Sequence, residues 1–273
     1  MKVFAVFGDP VAHSKSPRIH NNAIQALNFR GFYTRYHLQN ATNLRDKLFS
    51  LALNGANITV PFKETALKIA DFKDEMALNI GSANTLLVKE GKIHAYNTDG
   101  IGFLKAIAEF KGITNALILG AGGTAKALAY ALSSQNVKVN IANRSAARLK
   151  DFARYDTALY ENLQAKAFDI IINTTSAGLK DELLPCDESL LKTLLQKAKY
   201  AFEVIYGKQT PFLKLAKACK VPCKDGATML LWQGVFAFEL FWQLCDKPLS
   251  NPSPQRQLIF NAMQDALNLS DNF

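Results

Sequence analysis

At 273 residues the chain is long enough for two hydrophobic cores, and 49% apolar with 20% charged residues excludes a disordered or fibrous protein. The net charge of +9 raises the question of a nucleic-acid partner. However, Lys68, Lys73, Lys105, Lys111, Lys150, Lys192, Lys197, Lys214 and Lys217 are dispersed over exposed faces of separate predicted helices, with no basic run or interleaved aromatics, so no nucleic acid is expected and the positive field favours small anions instead.

Val3 to Phe7 predicts a strand that stops at Gly8-Asp9-Pro10, too short for the core of a signal peptide. A helix follows over Pro17 to Leu27, a strand over Tyr33 to Leu38, a helix over Leu44 to Leu53, a strand over Asn57 to Val60 and a helix over Phe62 to Ala70. Thr85 to Val88 and Lys92 to Tyr96 form a hairpin turning at Glu90-Gly91. A helix to Phe110 leads into a second alternating run: strands at Ala116–Leu119, Lys138–Ala142, Asp169–Asn173 and Tyr200–Val204, and helices at Thr124–Leu132, Ala146–Phe152, about Leu190–Leu195 and Pro211–Ala218. The class is α/β, with an N-terminal parallel-type lobe and a doubly wound nucleotide-binding lobe. The last helices, Met229–Leu244 and Pro254–Leu267, exceed what the second lobe needs and are expected to return to the first. The expected domains are therefore 1–99 completed by 229–273, and 100–228. Gln233, Glu239 and Gln243 interrupt the apolar stretch Met229 to Cys245, so it reads as a buried helix, and a cytoplasmic protein with no membrane contact is expected. Cys186, Cys219, Cys223 and Cys245 lack metal or redox spacing and read as buried free thiols; His13, His20, His37 and His94 show no paired metal spacing, and no metal is expected.

Gly120-Ala121-Gly122-Gly123-Thr124-Ala125 joins an apolar strand to an Ala-rich helix, the context a dinucleotide-binding turn requires. Gly120 allows the tight turn, Gly122 the approach of a pyrophosphate to the helix N-terminus, and Ala125 close helix–strand packing. Enzymes selective for NAD place an acid roughly 20 residues further on to bind the ribose 2′-hydroxyl. Asn143-Arg144-Ser145 stands there instead, with Arg148 one turn onward, so a 2′-phosphate meets a guanidinium and a hydroxyl, and NADP is the expected cofactor. The plain alternative is that Arg144 and Arg148 are surface residues at a helix start.

In the first lobe each polar motif also has two readings. Ser16-Pro17 suits a helix N-cap and first turn, or Ser14 and Ser16 hold a carboxylate at a positive helix end. Lys63 falls in a first helical turn, where the dipole disfavours a cation; it is either a tolerated surface lysine or kept for proton transfer, with a lowered pKa. Asp99 is either a helix N-cap or the partner of such a group. An ammonium and a carboxylate facing a nicotinamide would stabilise and protonate the alkoxide that hydride delivery creates.

Together these segments resemble the shikimate dehydrogenases nearly end to end. The matching stretches are Gly8 to Pro17, Asn57 to Lys63, Gly81 to Thr85, Asn97 to Gly102, the Gly120 loop, Asn143 to Ser145, Asn173 to Gly178, and Asp225-Gly226 with Met229-Leu230 and Gln233. The resemblance implies reversible NADPH-dependent reduction of 3-dehydroshikimate to shikimate on the route to chorismate and the aromatic amino acids. It puts the substrate carboxylate on Ser14 and Ser16 assisted by Tyr206, and the ring hydroxyls on Asn57, Thr59, Lys63, Asn84, Asp99 and Gln233. Lys63 and Asp99 are the implied catalytic pair, and Thr174, Ile205, Gly226 and Met229 lie near the implied nicotinamide position. Hydride would then cross a crevice between the lobes. Gly81–Thr85 and Asn173–Gly178 also read as simple polar turns.

Three positions depart from the family's pattern: Glu203 where Asp is frequent, Gly207-Lys208 where Asn-Pro often follows the tyrosine, and Ser145 in place of Thr. Two rival readings stand beside this one, a quinate/shikimate dehydrogenase that uses NAD and a noncatalytic NADP-binding regulator. A homodimer is the expected assembly.

Overall fold

A computed structural model of the protein describes residues 1–245 and 252–268. The remaining positions, 246–251 and 269–273, belong to the expected C-terminal completion of the first lobe and lie outside the described residues. The chain divides into two compact units, Met1–Gly102 with Leu231–Phe273, and Phe103–Leu230.

In the first unit β1 (Lys2–Gly8), β2 (Gly31–His37), β3 (Gly55–Ile58), β4 (Phe72–Lys73), β5 (Thr85–Lys89) and β6 (Lys92–Tyr96) form one sheet in the order β2-β1-β3-β5-β6-β4. β1 runs parallel to β2 and β3, while β5 is antiparallel to both β3 and β6. The β5–β6 turn uses Glu90 and Gly91, both at positive φ (51° and 70°), which matches the twist of the flanking strands. The reversal brings the carboxyl ends of β1, β3 and β6 and the amino end of β5 to one edge, with Asn57 opposite Thr85 and Thr85 opposite Tyr96. Helices α1 (Ser16–Ala26), α2 (Leu44–Ser50), α3 (Lys63–Ile69), α4 (Glu75–Ile80) and α5 (Asp99–Ala106) connect these strands or continue beyond them. β1 is buried on both faces: Ala5 and Phe7 join Leu44, Leu48, Ile58 and Leu86 in one core, and Phe4 faces away from them. Each fully buried large side chain contributes about 1.5–3 kcal/mol.

In the second unit β7 (Asn115–Leu119), β8 (Lys138–Asn143), β9 (Asp156–Leu159), β10 (Ile170–Asn173), β11 (Tyr200–Glu203) and β12 (Cys223–Lys224) are all parallel, in the order β9-β8-β7-β10-β11-β12. This is the doubly wound order, and its switch point lies between β7 and β10. Those two strands are continuous apolar runs with no exposed side chain from Ala116 to Leu119 or from Ile170 to Ile172, as expected for strands covered on both faces. The covering helices are α6 (Gly123–Ser133), α7 (Ala146–Leu149), α8 (Glu188–Gln196) and α9 (Pro211–Ala218).

The chain ends in α10 (Ala227–Phe241) and α11 (Arg256–Asn268). Val235, Phe236, Ala237 and Phe238 are wholly buried, Phe241 stacks on Phe4 with ring centroids 4.7 Å apart, and α11 packs along α1. Among the described residues no helix is long and apolar enough to cross a membrane.

Among the strands and α-helices, four were not anticipated. β4 and β12 have two residues each, too few for periodicity; β9 lacks an alternating apolar pattern, and α4 is short. Lys73 consequently sits on β4 and not on a helix. The four cysteines are free but only half-buried, because they fall at the ends or edges of elements where packing is incomplete.

Candidate active site

Lys63 opens α3 and Asp99 opens α5, and both side chains are buried. Lys63 Nζ donates to Asp99 Oδ2 at 2.6 Å, while Asp99 Oδ1 accepts from Asn84 Nδ2 at 2.9 Å. Both readings of these residues as simple surface or capping groups are thereby corrected. Lys63 is not exposed, and the Asp99 carboxylate is taken by Lys63 and Asn84; the Asp99 N–H donates instead to Asn97 Oδ1 at 3.0 Å. A buried ammonium is tolerable only with such pairing, since desolvation of an unpaired charge costs several kcal/mol, roughly.

The pair stands in a web of neutral groups. Asn84 Oδ1 accepts from the Thr98 N–H (2.8 Å) and from Thr85 Oγ1 (3.0 Å), and its Nδ2 is 3.5 Å from Gln233 Oε1. Asn57 Nδ2 donates to Thr85 Oγ1 at 3.1 Å and to the Asn84 carbonyl at 3.3 Å. Gly102 lets α5 approach the backbone of Gln233, since a Cβ there would lie 2.8 Å from the Gln233 nitrogen. Thr59 passes so close to Gly8 that a Cβ at position 8 would collide with its methyl.

At the head of α1, Ser14 Oγ donates to Ser16 Oγ (3.2 Å) and accepts from the Ser16 N–H (3.3 Å). The expectation that Ser16 caps the helix is corrected: the helix starts at Ser16 itself, and Lys15 in the cap position makes no side-chain bond to the helix end. The Ser14 carbonyl accepts from Arg35 at 2.9 Å, which holds the loop against β2.

The second unit is built differently. Gly120 adopts φ +104°, and a Cβ there would meet Thr174 Oγ1 at 2.7 Å. The Thr174 N–H and hydroxyl both donate to the Leu119 carbonyl, at 2.9 and 2.8 Å, so the glycine turn sits at the switch point between β7 and β10. Gly122, at the cap of α6, is exposed, with nothing within 4 Å of a would-be Cβ, and Ala125 is fully buried. Ala121 is buried, and Gly123 and Thr124 begin α6 half-buried. Beyond β8, Arg144, Ser145 and Arg148 are exposed, and Asn143 Nδ2 donates to the Ser145 carbonyl at 3.1 Å.

The Gly226 N–H donates to the Ile205 carbonyl at 3.1 Å, and a Cβ on Gly226 would collide with the Val204 carbonyl oxygen, so no larger residue fits without a backbone shift. Met229 is buried nearby in sequence on α10. Tyr206 is half-buried in the loop after β11. That loop closes through Gly207, whose φ of +76° suits glycine and whose N–H donates to Asp225 Oδ2 at 3.3 Å.

Two family models match the chain: the shikimate dehydrogenase substrate binding domain over residues 6–86, and shikimate / quinate 5-dehydrogenase over 105–187. The shikimate dehydrogenase (NADP(+)) of Helicobacter hepaticus is 47% identical over 97% of this chain and 98% of its own length. This chain belongs to the shikimate dehydrogenase family. The enzyme of that name from Helicobacter pylori strain J99 is 42% identical over 88% of this chain and 92% of its own. Among solved structures, shikimate 5-dehydrogenase from Thermus thermophilus in complex with NADP(H) and shikimate superposes with a TM-score of 0.82 at 33% identity, covering 97% of this chain and all of its own. Shikimate dehydrogenase from Aquifex aeolicus also gives 0.82, at 30% identity and 98% coverage of each chain.

Of the positions that carry the shikimate dehydrogenase resemblance, Asn57, Asn84, Asp99, Lys63 and Gln233 are joined by the contacts above, and Ser14 and Ser16 pair with each other. Gly120 meets Thr174, Gly226 meets Ile205, and Tyr206 belongs to a different unit from Ser14 and Ser16. Thr85, Asn97 and Thr98 lie within the matching stretches but carry no assigned role in the sequence, although a polar run between a strand and a helix is visible there. Glu203 stands out in the sequence only as a departure. Glu203 is wholly buried and accepts from Asn173 Nδ2 (2.8 Å), Thr210 Oγ1 (3.0 Å) and the Ile205 N–H (3.1 Å), tying together the loops after β10 and β11. Burial pushes its carboxyl up to about 7, and these hydrogen bonds offset only part of that rise. A lone acid at the end of an apolar strand was the available signal.

Proposed function

We propose that this chain is a shikimate dehydrogenase that catalyses the reversible NADPH-dependent reduction of 3-dehydroshikimate to shikimate, a step toward chorismate and the aromatic amino acids. The observation that carries this reading is the buried Lys63–Asp99 pair, held by Asn84 inside a shell of neutral amides and hydroxyls. A cyclic polyol with a carboxylate calls for that mixture: neutral directional groups for its hydroxyls, a positive helix end for its carboxylate, and one proton donor beside its carbonyl. Ser14 and Ser16 at the head of α1, assisted by Tyr206, hold the carboxylate. Asn57, Thr59, Asn84 and Gln233 take ring hydroxyls together with Lys63 and Asp99.

Lys63 Nζ donates a proton to the developing alkoxide, and Asp99 orients the ammonium and stabilises its charge. In the oxidative direction the proton returns to the same pair. NADP fits the second unit because the Gly120 turn and the open face of Gly122 leave the head of α6 accessible to a pyrophosphate. Ala121, Gly123, Thr124 and Asn143 complete that cradle. Arg144 and Ser145, with Arg148, offer charge and a hydroxyl to the 2′-phosphate, and no acid stands between 143 and 149 to repel it. Thr174, Ile205, Gly226 and Met229 line the nicotinamide end. When bound, NADPH supplies the hydride.

The test is one spectrophotometric assay of the purified protein with shikimate or quinate, each with NADP or NAD. Turnover is expected to be greatest with shikimate and NADP. Comparable rates with quinate or NAD would favour the quinate/shikimate reading, and no turnover with any pair would favour a binding protein.

A further inference from the structure

The polar web of the first unit includes a residue that no motif singled out. Tyr33 lies on the edge strand β2, between exposed Phe32 and Thr34, yet it is only 2% exposed itself. Three sets of contacts fix it. Its backbone N–H donates to Asn21 Oδ1 and its carbonyl accepts from Asn21 Nδ2, both at 2.8 Å. Its ring lies flat on His20, with centroids 4.3 Å apart and planes 9° from parallel. Its hydroxyl donates to Asn57 Oδ1 at 2.7 Å.

Neither ring of this stack titrates in the working range. Burial holds the Tyr33 phenol well above its ordinary value, with hydrogen bonds involving Asn57 and Ser16 offsetting only part of the shift, and burial pushes the His20 imidazole down to about 3. The phenol therefore remains a donor. An amide has one accepting and one donating end, and reversing Asn57 would set its oxygen against the Asn84 carbonyl, which can only accept. With Oδ1 turned to Tyr33, the two N–H bonds of Nδ2 are committed to Thr85 Oγ1 and the Asn84 carbonyl. The capacity left on Asn57 is the second lone pair of Oδ1, which accepts a hydrogen bond.

We propose that Tyr33 is a positioning residue that fixes Asn57 as a hydrogen-bond acceptor toward a ring hydroxyl of the substrate. The inference rests on the proposed placement of a substrate hydroxyl on Asn57. It predicts an effect on substrate affinity, exerted through Asn57, that leaves proton transfer at Lys63 intact.

Tyr33→Phe removes the hydroxyl and keeps the ring on His20. The KM for shikimate should rise about 3- to 10-fold, the loss expected for one hydrogen bond, with kcat within about twofold and the KM for NADP unchanged. In an Asn57→Ala background the same substitution should add nothing, because its route is gone. Melting curves of all four proteins establish that each is folded. An unchanged KM in Tyr33→Phe, a fall in kcat without a rise in KM, or a fully additive effect in the Asn57→Ala background would each overturn the positioning role. If Asn57→Ala itself left KM unchanged, the placement of the hydroxyl on Asn57 would fail, and the role of Tyr33 with it. Polarity is read from shikimate analogues altered at the hydroxyl to which Asn57→Ala becomes insensitive. A fluoro analogue, which accepts but cannot donate, should bind no better than the deoxy analogue, and tighter binding would show that Asn57 donates.

Discussion

At the edge of the first sheet Lys63, Asp99, Asn84, Thr98, Thr85 and Asn57 are buried and bonded to one another, whereas beyond β8 in the second unit Arg144, Ser145 and Arg148 stand exposed. The contrast follows from what each region is proposed to bind. A ring hydroxyl carries no net charge, so it is distinguished by direction, and direction requires groups whose orientations are already fixed. A phosphate is recognised by charge at longer range, which tolerates mobile side chains and is weakened by salt. Between these extremes lies the Gly120–Thr174 turn, where backbone shape does the selecting.

The sharpest way to break this comparison is at the proton donor. Lys63→Ala should lower kcat by roughly two to four orders of magnitude, with a smaller change in the KM for shikimate. Steady-state kinetics on a variant verified to be folded decide it. Retention of turnover within tenfold would mean that the buried pair only holds the fold.

Buried carboxyls in the two units also differ in company. Asp99 lies against an ammonium, whereas the groups facing Glu203 are Asn173, Thr210 and the Ile205 N–H, none of them ionisable. Glu203 is raised from an ordinary 4.5 to about 7, so between those values the folded chain keeps a proton that the unfolded chain has lost. Its neutral form therefore contributes stability that is complete below pH 4.5 and is lost as pH rises through 7. The loss is on the order of 3 kcal/mol. Melting temperatures of the wild type and Glu203→Gln, compared across this window, should show the wild type losing several degrees relative to the variant, about 2–4 °C per kcal/mol for a domain of this size class. Parallel pH profiles for the two proteins would mean that Glu203 does not titrate there.

Much of the second unit was legible because its central strands are apolar and alternate with amphipathic helices; the Gly120 loop needed only its flanking strand and helix to be read. Right-handed crossovers implied a doubly wound sheet but not its full strand order, since the short edge strands β9 and β12 carry no periodic signal. In the first unit the motifs were visible but their wiring was not. Asn57 and Thr85 become neighbours only because β5 reverses against β3, a pairing no local pattern specifies. Tyr33 was hidden because a tyrosine in a strand reads as core, and Ser16 misled because Ser-Pro is equally a capping signal and a binding one. Alternate readings of a buried lysine and a surface lysine are separated by burial, which the sequence around Lys63 does not encode.

The exposed end of the comparison is tested at Arg144. Removing a guanidinium that hydrogen-bonds a phosphate costs about 1.5–3 kcal/mol when the pair is shielded, and less when water competes. Arg144→Ala should accordingly raise the KM for NADPH about 5- to 20-fold, while leaving the KM for NADH and for shikimate unchanged, because neither carries the 2′-phosphate. Charge recognition at an exposed site also predicts a salt effect: the KM for NADPH should climb with ionic strength more steeply in the wild type than in Arg144→Ala. Substrate binding through neutral groups around Asn57 and Asn84 should show the shallower dependence of the two ligands. Equal losses for NADPH and NADH in the variant would show that Arg144 does not read the phosphate, and the 2′-phosphate site would have to be sought elsewhere along β8 and β9.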